Sequence, residues 1–83
     1  MRVLYFAWVK EKTGVAAEDI ELPANVETVS DLIDWLRTRG PEFKNAFRQS
    51  GVIRAAIDQA HVRPDAPLAG AREIAFFPPV TGG

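Results

Sequence analysis

The chain contains no cysteine. That one absence excludes disulfides, thiolate metal sites, iron–sulfur clusters and a cysteine nucleophile. It also removes the usual side chain for carrying sulfur. A single histidine is present, His61. With no cysteine and no nearby pair of carboxylates it reads as a surface or rim residue rather than a ligand, and no metal site is expected. Charge of one sign is not in excess: ten basic residues face eleven acidic ones, for a formal charge of −1. Such a balance gives no long-range attraction to nucleic acid or to an anionic membrane. Long apolar runs are missing too. The stretch from Val3 to Val9 falls far short of the ~20 residues that span a bilayer, and no small-residue cleavage site follows it. The expected location is therefore cytoplasmic. There is no Walker motif, and the "RQSG" stretch at 48–51 is too short to cradle a phosphate. No repeat or low-complexity segment occurs.

What is present describes a small globular domain. The 83 residues are 47% hydrophobic and 25% charged, and the apolar residues recur along the whole chain, which excludes disorder. A chain of this length buries only about 60–65% of the surface it exposes when unfolded, so one thin core is expected and little internal pocket.

Val3 to Val9 reads as a strand with two apolar faces, Val3, Tyr5, Ala7 and Val9 on one and Leu4, Phe6 and Trp8 on the other. Lys10 to Gly14 reads as a polar break, and Glu18 to Leu22 as a second strand ended by Pro23. Glu18, Asp19 and Glu21 read as its solvated face. Thr28 is placed to cap a helix, its hydroxyl accepting from the Asp31 backbone amide. Val29, Leu32, Ile33 and Leu36 follow with helical spacing, Arg37 and Arg39 fall in the last turn, and Gly40-Pro41 stops it. Pro41 then opens a short second helix that buries Phe43, Ala46 and Phe47. Val52 to Ile57 reads as a third strand and the region around Val62 as a short edge strand. Asp58 and Asp65 read as turn residues. Arg72 to Phe77 is the last strand.

This order of strands and helices predicts an α+β fold of the ubiquitin-like β-grasp plan. Four to five strands form a mixed sheet on one main helix, plus a short second helix. A helical crossover lets the last strand lie parallel to the first in mid-sheet. One domain spans 1–83, with 78–83 as an extended tail. The face away from the helix, carrying Leu4, Phe6, Trp8, Val52, Ala56 and Phe77, is expected to lack a cover and to serve as a partner surface.

The C-terminal "FFPPVTGG" explains itself poorly as a frayed end. Pro78 and Pro79 have no N–H and must end the sheet ladder at Phe77. Their fixed φ favours an extended stalk. From Pro78 to Gly83, at ~3.1–3.6 Å per residue, it reaches roughly 20 Å, enough to thread a pocket on another protein. Gly82 and Gly83 carry no Cβ, so they pass a channel closed to any side chain. A terminal carboxylate with a pKa of about 3.5 is ionised and a poor electrophile at neutral pH. ATP can activate it as an acyl-adenylate. A sulfur nucleophile can then displace AMP and leave a thiocarboxylate, which gives a cysteine-free protein a means of carrying sulfur.

"VLYFAWVKEKTG", "VRPDAPLAGAREIAFFPPVTGG" and above all the closing "AFFPPVTGG" resemble the small, sulfur-carrier subunit of molybdopterin synthase, over nearly the whole chain. The resemblance implies that Gly83 is adenylated by an ATP-dependent adenylyltransferase related to ubiquitin-activating enzymes and then converted to a thiocarboxylate with sulfur from a donor protein. It implies that the tail, Pro78, Pro79, Val80, Thr81 and Gly82, inserts into the large subunit, where sulfur passes to cyclic pyranopterin monophosphate to form molybdopterin. The small subunit is then no enzyme by itself. It binds no cofactor, and ATP is consumed by the activating partner. Phe77 and Phe6 anchor the body. From the residues alone Trp8 and Trp35 read first as packing residues, and Trp8 could also join the partner surface. A basic residue just after the first strand contacts the activating enzyme; Lys10 stands where the family often has Arg, and lysine lacks the bidentate fork. His61 stands where an apolar interface residue is more usual. Three other readings stay open from the sequence: the sulfur carrier of thiazole synthesis, a ubiquitin-like modifier attached to lysines, and an interaction module whose tail is idle. The Phe-Phe-Pro-Pro segment and the longer chain count against the thiazole carrier.

Overall fold

The computed structural model describes residues 1–79. Its elements are β1 (Arg2–Tyr5), α1 (Ala7–Thr13), β2 (Ala17–Asp19), α2 (Val29–Leu36), α3 (Pro41–Ala46), β3 (Arg54–Ile57), β4 (Ala60–Val62) and β5 (Glu73–Phe77), with single 3-10 turns at Arg37–Arg39 and Ser50–Val52. The sheet order is β2-β1-β5-β3-β4. β1 and β5 run parallel in its centre, and the other pairs are antiparallel. This is the mixed β-grasp sheet that the order of elements predicts.

Register fixes the two faces. Tyr5 pairs with Phe76 and Phe76 with Ala55, while Val3 pairs with Ile74 and Ile74 with Ile57. These residues form the inner face. They pack with Val29, Leu32, Ile33 and Leu36 of α2 and with Phe43, Ala46 and Phe47 at α3 in one core. Four aromatic rings interlock at its centre. Phe47 meets Phe76 edge-on at 5.2 Å, and Tyr5 lies 5.9–6.4 Å from Phe43, Phe47 and Phe76. Such geometries add to the burial of the rings themselves.

The α2 start follows its local sequence. The Thr28 hydroxyl accepts from the Asp31 amide at 3.1 Å, and the Asp31 carboxylate accepts from the amides of Thr28 and Glu27. These bonds satisfy orphan donors at both positions. They hold the Asp31 carboxyl below the usual aspartate range.

The largest departure from the sequence reading lies between Phe6 and Gly14. The first strand does not run to Val9. It stops at Tyr5, and α1 replaces both its second half and the polar break. Ala7 takes a left-handed φ of 52°, which turns the chain out of the sheet. Val9 and Thr13, one helical turn apart, are buried beneath α1, and Gly14 closes the helix at φ 78° with its amide donating to the Lys10 carbonyl. The helix packs against α3 and β5. Smaller shifts occur elsewhere. β2 spans only Ala17–Asp19, so Ile20 and Leu22 reach the core rim from a loop. β3 starts at Arg54, leaving Val52 in a 3-10 turn. Arg37 and Arg39 lie in the 3-10 turn beyond α2. Asp58 is a turn residue, as expected. It has a positive φ, and its carboxylate accepts from the amides of Arg72 and Glu73.

Candidate functional site

The candidate site grows from the C-terminal end of β5. The strand is central, flanked by β1 and β3, and its last ladder residue, Phe77, pairs with Arg54. Pro78 and Pro79 follow outside the sheet and are half-buried. The ladder therefore ends where the missing proline N–H groups require. The expected stalk and tip residues Val80, Thr81, Gly82 and Gly83 lie outside the described residues.

Around this exit the outer sheet face is built from small and apolar side chains. One row crosses the sheet as Ala17, Leu4, Ala75, Ala56 and His61, each paired with the next. Phe77 lies one step further along β5, with the His61 ring 5.2 Å from its own. Phe6 leaves β1 in extended conformation and donates its amide to the Phe76 carbonyl at 3.0 Å, which sets it beside Phe77. It is 49% exposed. Neither α2 nor α3 covers this face, because both pack on the inner residues.

The structure divides the predicted site residues. Phe6 and Phe77 come together at the end of the two central strands. Trp8 does not join them on the sheet. It lies on α1, half-buried against the core, with the Lys12 ammonium 5.1 Å from its ring. Lys10 is exposed on the same helix rather than directly after a strand. Val52 is exposed, but from the 3-10 turn. Ala56 is 7% exposed and adds little open surface. A methyl group in the middle of a row, with Ala75 on one side and His61 on the other, has little area to show.

A polar cluster missed in the sequence braces the inner side. Glu18 is not part of a solvated face. Its carboxylate accepts from the Tyr5 hydroxyl at 2.8 Å and from the Arg39 guanidinium at 2.7 Å. Arg39 in turn lies over the rings of Trp35 and Phe43. The Arg39 hydrogen bond, aided by that of Tyr5, holds the Glu18 carboxyl below its usual range. Burial and the Glu18 carboxylate push the Tyr5 phenol far above its own range, so it remains a donor. The signal was Tyr5 itself, because an inward tyrosine needs a partner for its hydroxyl. Linkage gives the sign of the pH effect. A depressed folded-state pKa contributes stability that is present above the unfolded value and lost as pH falls through the folded one. Acidification below the ordinary glutamate value of 4.5 should therefore weaken the wild type more steeply than Glu18→Gln. Urea denaturation of both proteins across that range checks this; parallel slopes would remove Glu18 from the account.

A protein-family model, the ThiS family, matches residues 3–83. The chain belongs to the ThiS family. Over its full length it is 39% identical to the molybdopterin synthase sulfur carrier subunit of Escherichia coli and 35% identical to that of Haemophilus influenzae, covering 99% of each. Among solved structures it resembles a Pyrococcus furiosus protein described as a candidate molybdopterin converting factor, subunit 1. The TM-score is 0.73 at 28% identity, covering 95% of either chain. It also resembles small archaeal modifier protein 1 of Haloferax volcanii, with a TM-score of 0.74 at 25% identity over 96% of this chain and 97% of that one. The family match and the two relatives agree with the resemblance read over nearly the whole sequence, and the solved structures agree with the predicted fold.

Proposed function

We propose that this protein is the sulfur-carrier subunit of a molybdopterin synthase. The observation that carries the reading is the full-length match to the two curated sulfur carrier subunits. Phe77-Pro78-Pro79 supports it, because the ladder of the central strand ends there, just ahead of the last residues of the chain.

In this reading Gly83 is the carrier. Its carboxylate attacks the α-phosphorus of ATP on the activating enzyme, and pyrophosphate leaves. A sulfide-level nucleophile released by a donor protein then attacks the acyl carbon, AMP leaves with the electron pair of the C–O bond, and Gly83 ends as a thiocarboxylate. The tail enters the large subunit and gives its one sulfur to cyclic pyranopterin monophosphate; two loaded carriers in turn supply the two sulfurs of molybdopterin, and water returns each Gly83 to a carboxylate. Gly82 supplies clearance, and Pro78, Pro79, Val80 and Thr81 form the stalk. Phe6 and Phe77 seat the body on the large subunit, with Trp8 and Lys10 on α1 meeting a partner beside the exit. The small subunit holds no catalytic side chain and no cofactor of its own, and ATP is bound and spent by the activating partner. The setting is the cytoplasm; among the described residues no helix is long and apolar enough to cross a membrane.

The test is reconstitution. The purified carrier, an activating enzyme, a sulfur donor and the large subunit should convert cyclic pyranopterin monophosphate to molybdopterin, and omission of the carrier should abolish the product. Failure of the complete mixture with a folded carrier would refute the reading. Phe77→Ala should weaken binding to the large subunit more than tenfold, as loss of a buried aromatic anchor does at about 2 kcal/mol or more. Titration calorimetry would show it; unchanged affinity would remove Phe77 from the interface. The likeness to the archaeal modifier favours one second reading, in which the activated Gly83 is joined to lysine amines. That reading predicts ladders of conjugates on other proteins.

A further inference from the structure

The pole of the sheet opposite the tail holds a cleft of about 850 Å³. β1 and β5 are parallel, and the cleft opens where both begin, beside Met1 and Ala71. The tail leaves from the other end of β5. The length of that strand, at ~3.3 Å per residue, separates the two by on the order of 15 Å. The floor is apolar: Ile20, Leu22, Val26 and Leu68, the last two buried in the core margin. Three carboxylates, Asp19, Glu21 and Glu27, stand exposed around it. The lining includes no lysine or arginine. Its one cation, the Met1 amine, is engaged with the Ile20 carbonyl at 2.9 Å, and Asp19 has Arg2 at 3.8 Å. Glu21 and Glu27 have no basic partner among the ion pairs of the described residues.

The walls are set by the backbone. The Leu68 amide donates to the Glu27 carbonyl at 2.8 Å, and Thr28 bridges to Pro67. The Ala71 amide returns to the Leu68 carbonyl across a turn in which Gly70 takes φ 80°. A preformed concave site loses little ordering entropy when it is filled. Its volume suits a few side chains rather than a whole domain surface. We infer that this cleft is a second docking site, for a short basic and apolar peptide segment of a partner protein: aliphatic side chains fill the floor, and flanking arginines or lysines meet Glu21 and Glu27. The inference does not rest on the proposed function. If that function holds, the cleft lets a partner grip the body while the tail is engaged elsewhere.

The probe is a capped hexapeptide of alternating leucine and arginine, titrated into the 15N-labelled full chain. Saturable amide shifts should be confined to residues 19–27 and 67–71. The affinity should fall as salt rises, since exposed charge pairs are screened. The double variant Glu21→Lys, Glu27→Lys should weaken binding by about tenfold or more, as reversal of rim charges changes attraction to repulsion. It should keep the wild-type circular dichroism, because both side chains are exposed. Phe77→Ala should bind the probe as the wild type does. A peptide with glutamate in place of arginine should not bind. Absence of saturable shifts, shifts centred on Phe6 and Phe77, or equal binding of the acidic peptide would each overturn the inference. None of these readouts involves loading of Gly83, so this proposal and the proposed function fail separately.

Discussion

One alanine appended after Gly83 is expected to abolish molybdopterin formation in the reconstituted system and to leave the melting temperature unchanged. The chemistry needs a free carboxylate at the glycine. An added residue turns the Gly83 carbonyl into an amide, which cannot take up AMP, and it puts a methyl group on a tip whose use depends on having none. The fold is expected to tolerate the change, because among the described residues the ladder ends at Phe77 and the buried aromatic of the strand is Phe76. Thermal denaturation and the product assay, run on one preparation, separate the two effects. Full activity of the extended protein would place the working group somewhere other than the terminus.

The second large effect belongs to the neighbour of the exit residue. Phe76 is fully buried and touches both Tyr5 and Phe47 in the aromatic centre. Phe76→Ala removes a ring from the thin core of a small domain. Such truncations cost about 3–5 kcal/mol, and at ~4–8 °C per kcal/mol for a domain of this size the midpoint should fall by more than roughly 12 °C. Against a total stability of about 5–15 kcal/mol the variant is near its folding limit. Phe77→Ala, one residue on and on the other face, should cost far less stability and act on binding instead. Equal thermal losses in the two variants would mean that the inner and outer faces of β5 are misassigned.

This alternation along β5 was readable from the sequence, because it is a local period of two bounded by prolines. The start of α2 was readable for the same reason. The Thr28 cap, the Asp31 carboxylate and the four apolar residues lie within a few positions of one another, and all appear where expected. The parallel pairing of the last strand with the first, in mid-sheet, followed from the sequence of elements. Helix α1 did not. A continuous apolar run fits a two-faced strand and a buried helix segment equally well, and the switch depends on Ala7 entering a left-handed conformation that nothing about an alanine announces. Trp8 and Lys10 were misplaced with it, while Phe6, just before the switch, kept its predicted side. The Glu18 cluster was hidden for another reason. Its partner Arg39 is 21 residues away, in the turn after α2, so no local pattern announces the pair.

Intact-mass measurement of the carrier, after co-expression with the activating enzyme and the sulfur donor, tests the central claim most directly. The account predicts a species heavier than the apo-protein by the difference between one sulfur and one oxygen atom, with fragmentation placing the change on Gly83. A folded protein whose mass never changes, or whose added sulfur maps to any other residue, would contradict it.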